Sequence, residues 1–151
     1  AIRQIIPNCA ISTDIISGFC DENEEEHEET KSLMELVKFD FAYMFKYSER
    51  PKTLAERRFE DNVDEKTKSR RLTEIIAIQQ KHSLMSNQNQ IGQDQKILIE
   101  GFSKRSDDFH CGRNDNNCMV VFPKIKDNKK GDYVMVKIKD CTSATLIGEC
   151  I

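Results

Sequence analysis

Between Cys9 and Tyr47 three sequence patterns follow one another in an order that few folds accommodate. CAISTDIISGF, residues 9–19, is short, β-branched and closed by Gly18, the pattern of a strand buried in a parallel sheet. Asn23 then stands three residues before Glu26, the signature of a capping box, and His27, Thr30, Leu33, Met34 and Val37 recur at helical spacing. The acids at 21–29 crowd the first turns, where the helix dipole favours negative charge, and read as a solvated face rather than a metal site. Next, Phe39, Phe41, Tyr43, Phe45 and Tyr47 alternate with Asp40, Ala42, Met44 and Lys46, a period of two that marks a strand with an aromatic face. Strand, helix and strand in this order predict a parallel pair joined by a right-handed crossover. The strand ends Asp14 to Gly18 and Tyr47 to Arg50 then lie side by side, at the edge where β/α folds place chemistry.

Two strands and one helix cannot cover both faces of a parallel sheet, and the residues before Pro7 read as the tail of a helix, so the expectation is the end of a larger domain. Residues 51–63 read as a connector. From Asp64 a long helix is predicted: Leu72, Ile75, Ile76 and Gln79 share one face, Lys66, Lys68, Arg70, Arg71 and Lys81 crowd the others, and a polar run before Gly92 ends it. After Gly92 come QKILIE, FHCGR, CMVVF, YVMVKIKD and ATLIGE, separated by turn-forming residues. Five short strands in this space predict a small closed barrel of the OB type. Val134, Val136 and Ile138 would face inward, and Tyr133, Met135, Lys137 and Lys139 outward. The expected fold class is therefore α/β plus β, with a partial β/α barrel over 1–63, a linking helix over 64–90 and a β-barrel over 91–151.

The charge divides the same way. Residues 1–90 carry 13 basic and 17 acidic side chains, and residues 91–151 carry 10 and 9. At 38% hydrophobic residues the chain is poor in the apolar surface that one well-buried core needs. It contains no apolar run near the roughly 18 residues that span a bilayer and no secretory leader, which predicts a soluble, cytoplasmic protein with no membrane partner. Cys9, Cys20, Cys111, Cys118, Cys141 and Cys150 include no C-x2-C pair, so reduced thiols are expected rather than disulfides, a zinc ribbon or a locally held cluster.

Asp14, within an apolar strand, needs a partner if buried. It could accept hydrogen bonds from a ribose or an amine, or pair structurally with Arg50. Gly18 permits close backbone approach of a ligand, or simply turns the chain. The planar fork of Arg50, in YSERP, suits an anion as well as that pair. His27, His82 and His110 form no catalytic constellation and read as structural. In the barrel, GFSKRSDDF and GRNDNN bring Phe102, Lys104, Arg105, Arg113, Asn114 and Asn117 to loops and strand ends, and Lys124, Lys126, Lys129 and Lys130 form a basic loop. Cations, amides and an aromatic ring are what an RNA-binding barrel needs, and a merely solvated surface is the competing reading.

Taken together, AISTDIISGF, FDFAYMFKYSERPKTLA, RRLTEIIAIQQKHSLMSNQ, EGFSKRSDDFHCGRNDNNCMVVFPK and DCTSATLIGE resemble, in collinear order, the C-terminal part of the tRNA isopentenyl-adenosine methylthiotransferases. These are radical S-adenosylmethionine enzymes. The resemblance implies a partial β/α barrel followed by a TRAM domain, and insertion of a methylthio group into isopentenyl-adenosine beside the anticodon. It also implies S-adenosylmethionine and two 4Fe-4S clusters in the parent enzyme. The C-x3-C-x2-C that holds the radical cluster is absent from these residues, as are the cysteines for the second cluster. A segment inactive by itself is therefore expected, with the remaining N-terminal part of the same enzyme as its partner.

By the same resemblance Asp14, Ser17, Gly18, Glu22, Tyr47, Ser48 and Arg50 would line the pocket for S-adenosylmethionine and the target base. Phe102, Lys104, Arg105, Arg113, Asn114, Asn117 and Lys124 would meet the anticodon arm. The family commonly reads GFPGET where this chain has GFCDEN, and glycine where it has Lys52. These departures put the path of the loop in question. A stand-alone RNA-binding module, a protein-interaction domain and a sister methylthiotransferase subgroup are the competing readings.

Overall fold

A computed structural model describes residues 1–125 and 127–151. The chain divides into two compact units, one of Ile11–His82 and one of Ala1–Ala10 with Ser83–Ile151.

In the first unit β1 (Ser12–Ser17) and β2 (Phe41–Lys46) pair in parallel on either side of α2 (Glu24–Val37), after a short α1 (Ile2–Ile5) that belongs to the other unit. The crossover helix starts where the sequence indicates. Asn23 accepts from the Glu26 amide and the Glu26 side chain accepts from the Asn23 amide, so two otherwise unsatisfied donors are capped. Asp40 fastens the start of both strands, its carboxylate accepting from Ile11 N at 2.8 Å and its own N donating to Ile11 O.

The expected burial of β1 does not hold. Ile15 and Met44 pack with Met34, Phe39 and Ile75, but Ser12, Asp14 and Ile16 on the opposite face are exposed, as are Phe41, Tyr43 and Phe45 of β2. The apolar run of β1 thus serves a sheet covered on one side among the described residues. The aromatic alternation also breaks at its ends, since Phe39 and Tyr47 lie outside the strand, where the chain bends, and are buried.

The connector contains a further short helix, α3 (Leu54–Arg58), capped by Thr53, whose hydroxyl accepts from Glu56 N. The long helix α4 (Glu65–Gln88) is capped by Asp64, whose carboxylate accepts from the amides of Lys66 and Thr67. Its buried face overlaps the one that hydrophobicity selects at Ile75 and Gln79 and is otherwise rotated from it. Lys68, Arg71, Ile75, Gln79 and His82 are buried, and Leu72 and Ile76 only half-buried. Acidic and carbonyl partners on neighbouring segments compensate the polar groups: Asp61 for Lys68, Glu22 and Glu24 for Arg71, Phe39 O for Gln79 and Glu35 for His82. The acidic run of α2 is accordingly only partly a solvated face, because Glu24 binds both Arg70 and Arg71.

The second unit contains the predicted barrel: β3 (Asp94–Ser103), β4 (Ser106–Arg113), β5 (Met119–Pro123), β6 (Tyr133–Cys141) and β7 (Leu146–Cys150), closed in the order β3-β4-β5-β7-β6. β5 and β7 run parallel and all other neighbours antiparallel, an OB-like arrangement in which the first strand pairs with both the second and the fourth. Ile97, Ile99, Val120, Phe122, Val136, Ile138 and Leu146 fill it. In β6, Val136 and Ile138 point inward and Tyr133 and Met135 outward, as the alternation requires. No helix among the described residues is long and apolar enough to cross a membrane.

Candidate functional site

The ends of β1 and β2 meet through a backbone bond from Tyr47 N to Ser17 O, 2.8 Å. Beyond Ser17 the chain turns at Gly18, whose φ of 74° lies in the left-handed region and whose N donates to the Glu22 carboxylate. Arg71, buried, fixes that carboxylate from below. Its Nη1 donates to Glu22 O at 2.8 Å and lies 3.5 Å from Glu22 Oε2, while Nη2 reaches Glu24. Lys68, 1% exposed, places Nζ 2.6 and 2.7 Å from the two Asp61 oxygens and 5.3 Å from the centre of the Tyr47 ring. Phe19 packs edge-on to the same ring at 4.9 Å. Burial, and then the nearby Cys20 thiol, push the Tyr47 hydroxyl up to about 12. Ser17 Oγ is buried with no hydrogen-bond partner among the described residues. Beside this loop runs an open groove of about 600 Å³, lined by Ile16, Phe19, Cys20, Leu33 and the acids Glu22, Glu26 and Glu29.

Of the seven pocket residues named from sequence, the structure gathers Ser17, Gly18, Glu22 and Tyr47. Asp14, Ser48 and Arg50 are exposed, and no ion pair joins Asp14 to Arg50 among the described residues, so the structural-pair alternative for Asp14 is not realised. Asp14 stands at mid-strand in register with Tyr43, away from the turn that carries Arg50. Sequence reasoning missed Lys68, Arg71 and Asp61. The available signal is a 3-4-4-3 spacing of Lys68, Arg71, Ile75, Gln79 and His82, one helical face whose cations oppose an acidic helix.

The two positions where the family resemblance leads one to expect glycine have a glycine-like backbone. Asp21 has φ 65° and Lys52 φ 70°. Asn62 braces Asp21 twice, accepting from its N at 2.9 Å and donating to its carboxylate at 2.5 Å, and the Glu56 carboxylate accepts from Lys52 N at 2.6 Å.

In the barrel, Lys104 and Arg105 form the exposed tip of the β3–β4 hairpin, where Ser103 pairs with Ser106. Phe102 is already engaged, stacked on His110 at 5.2 Å and overlaid by Lys124 Nζ at 4.9 Å. Arg113 binds Glu100 and Asn117 O, at 3.3 and 2.8 Å. Asn114 is not a surface amide. It is buried, donates to Gln90 and Gln95, and accepts from the amides of Asn116 and Cys118, because the tight Asn114–Cys118 turn consumes its side chain. Lys129 and Lys130 are exposed, and Lys126 lies outside the described residues.

None of the six cysteines is in a disulfide. The one group of three or more potential metal ligands among the described residues is Glu24, His27 and Glu28, which contains no thiol and whose carboxylates already hold Arg70, Arg71 and Lys31. The donor set of these residues therefore does not fit an iron–sulfur cluster.

Residues 88–151 match the TRAM domain family. A tRNA-2-methylthio-N(6)-dimethylallyladenosine synthase of Christiangramia forsetii is 55% identical over 99% of this chain, and synthases of the same name from Karelsulcia muelleri and Chloroherpeton thalassium are 54% and 53% identical over 98% and 99%. This chain is similar to those synthases over nearly its whole length. It spans about a third of the length of each, covering 31%, 32% and 33% respectively. The similarity runs through both units.

Proposed function

We propose that these residues supply part of the substrate pocket and the RNA grip of a tRNA methylthiotransferase that adds a methylthio group to dimethylallyl (isopentenyl) adenosine beside the anticodon. The identity of 50–55% with synthases of that name over nearly the whole chain carries this reading. On it, 1–63 is the end of a partial β/α barrel, 64–90 a linking helix and 91–151 the RNA-binding barrel, in a cytoplasmic enzyme. The open edge of β1 would take a further parallel strand, and the bare sheet face would look into the barrel lumen. Asp14, Ser17, Gly18, Glu22, Tyr47, Ser48 and Arg50 would border the pocket, and the acidic lining of the adjoining groove suits the sulfonium and ammonium groups of S-adenosylmethionine. That cofactor, activated by iron–sulfur chemistry, would supply the radical; the cluster thiolates would come from residues other than these. Lys104, Arg105 and Lys124 would meet phosphates of the anticodon arm, with Phe102, Arg113 and Asn117 beside them.

Grafting residues 1–151 in place of the matching segment of the Christiangramia forsetii synthase, in cells lacking the native enzyme, tests this reading. Methylthio-dimethylallyladenosine in the tRNA hydrolysate is the expected result; a folded, soluble graft that yields none overturns it. A binding module without catalysis is the second reading, favoured by the OB-like barrel with its basic hairpin tip.

A further inference from the structure

The two faces of the β1–β2 sheet differ in kind. One packs on Met34 and Ile75. On the other, the parallel register sets Ser12 beside Phe41, Asp14 beside Tyr43 and Ile16 beside Phe45. Phe41, Tyr43, Ile16 and Phe45 are 48%, 58%, 59% and 60% exposed, and Phe41 meets Tyr43 edge-on at 4.7 Å. Contiguous apolar surface of this kind marks a binding face. Its composition selects the ligand. Rings can stack on a purine, and Ile16 with Phe45 offers an aliphatic and aromatic corner for a short branched hydrocarbon. Asp14 is the one charge among these six residues, with no cation to hold a phosphate, and it can accept a hydrogen bond from an amine.

We infer that this face determines substrate specificity by reading the base of N6-dimethylallyladenosine, Ile16 and Phe45 contacting the five-carbon branch and Asp14 accepting the N6 hydrogen. The inference rests on the methylthiotransferase reading and adds to it the residues that distinguish a dimethylallylated adenosine from a plain one. An apolar contact of even one methylene discriminates by about tenfold or more, so the whole branch gives at least that ratio.

The test titrates this chain with N6-dimethylallyladenosine and with adenosine, following the ring resonances of Tyr43 and Phe45 by NMR. Binding of the dimethylallyl nucleoside about tenfold tighter is expected, and Phe45→Ser should bring the ratio down to about twofold with an unchanged circular dichroism spectrum, since the ring is largely exposed. Equal affinities, an absence of shifts at Tyr43 and Phe45, or an unaltered ratio in Phe45→Ser overturns the inference. So does a concentration-dependent dimer, seen by sedimentation, that the same substitution dissolves. The grafted synthase separates the two readings. If it methylthiolates tRNA but its Phe45→Ser form still distinguishes dimethylallylated from plain anticodon stem-loops, only the assignment of this face fails; an inactive graft with a selective nucleoside titration removes the enzymatic reading alone.

Discussion

Lys68 lies directly beneath Gly18: a Cβ at Gly18 would stand 2.4 Å from Lys68 Cγ and 3.2 Å from its Cβ. Position 18 therefore has two independent reasons to be glycine, its positive φ and a buried side chain that cannot withdraw because Asp61 holds its ammonium. Gly18→Ala is expected to destabilise the first unit by about 2 kcal/mol or more, read as a lower urea midpoint at unchanged slope. Asp61→Ala, which leaves Lys68 uncompensated in the interior, should cost roughly 3 kcal/mol. A midpoint unmoved by either change would show that Lys68 does not support the loop.

The Asn62 brace makes a coupled prediction. Asn62→Ala should cost about 1 kcal/mol, because Asp21 loses both hydrogen bonds while remaining left-handed. Asp21→Gly removes the backbone strain and makes the brace redundant, so in that background Asn62→Ala should cost much less. A double-mutant cycle measures the difference, and strict additivity would refute the coupling. Lys52→Gly should by itself stabilise the chain by up to about 1 kcal/mol.

Glu74 links stability to pH. It accepts from His27 Nε2 at 3.0 Å and also binds Arg70 and Lys31, and these partners, His27 foremost, hold its carboxyl down to about 2. A depressed carboxyl contributes stability that is complete above the unfolded value, near pH 4.3, and is lost as pH falls toward 2. Glu74→Gln should flatten that part of the acid-unfolding curve without altering its shape above pH 6. Identical acid limbs in the two proteins would contradict the assignment.

On the proposed RNA-binding role of the barrel, position decides which substitutions affect affinity and which affect stability. Ala at Lys104 or Arg105 should weaken binding to an anticodon stem-loop with the fold intact, each lowering the salt slope by about one. Asn114→Ala should instead destabilise the barrel by roughly 2 kcal/mol, since Gln90, Gln95 and two backbone amides lose their partner. Thermal melts beside binding isotherms distinguish the two classes. Loss of affinity in Asn114→Ala at full stability would return that residue to the surface role that its composition suggests.

Local patterns in the sequence determined the parallel strand pair, the Asn23–Glu26 cap, the helix beginning after Asp64 and the alternating walls of the five-stranded barrel, because each follows from dihedral preference and hydrophobic period within a few residues. The strand ends Asp14 to Gly18 and Tyr47 to Arg50 were legible for the same reason, whereas Glu22 was named only through the family resemblance. The tertiary structure alone decided that Lys68 and Arg71 are interior, that Asn114 is spent on its own turn and that Phe41, Tyr43 and Phe45 face outward. Period sorts side chains by apolarity. Whether a charged one is buried depends on partners distant in sequence, here Glu22 for Arg71, 49 residues away, and Asp61 for Lys68.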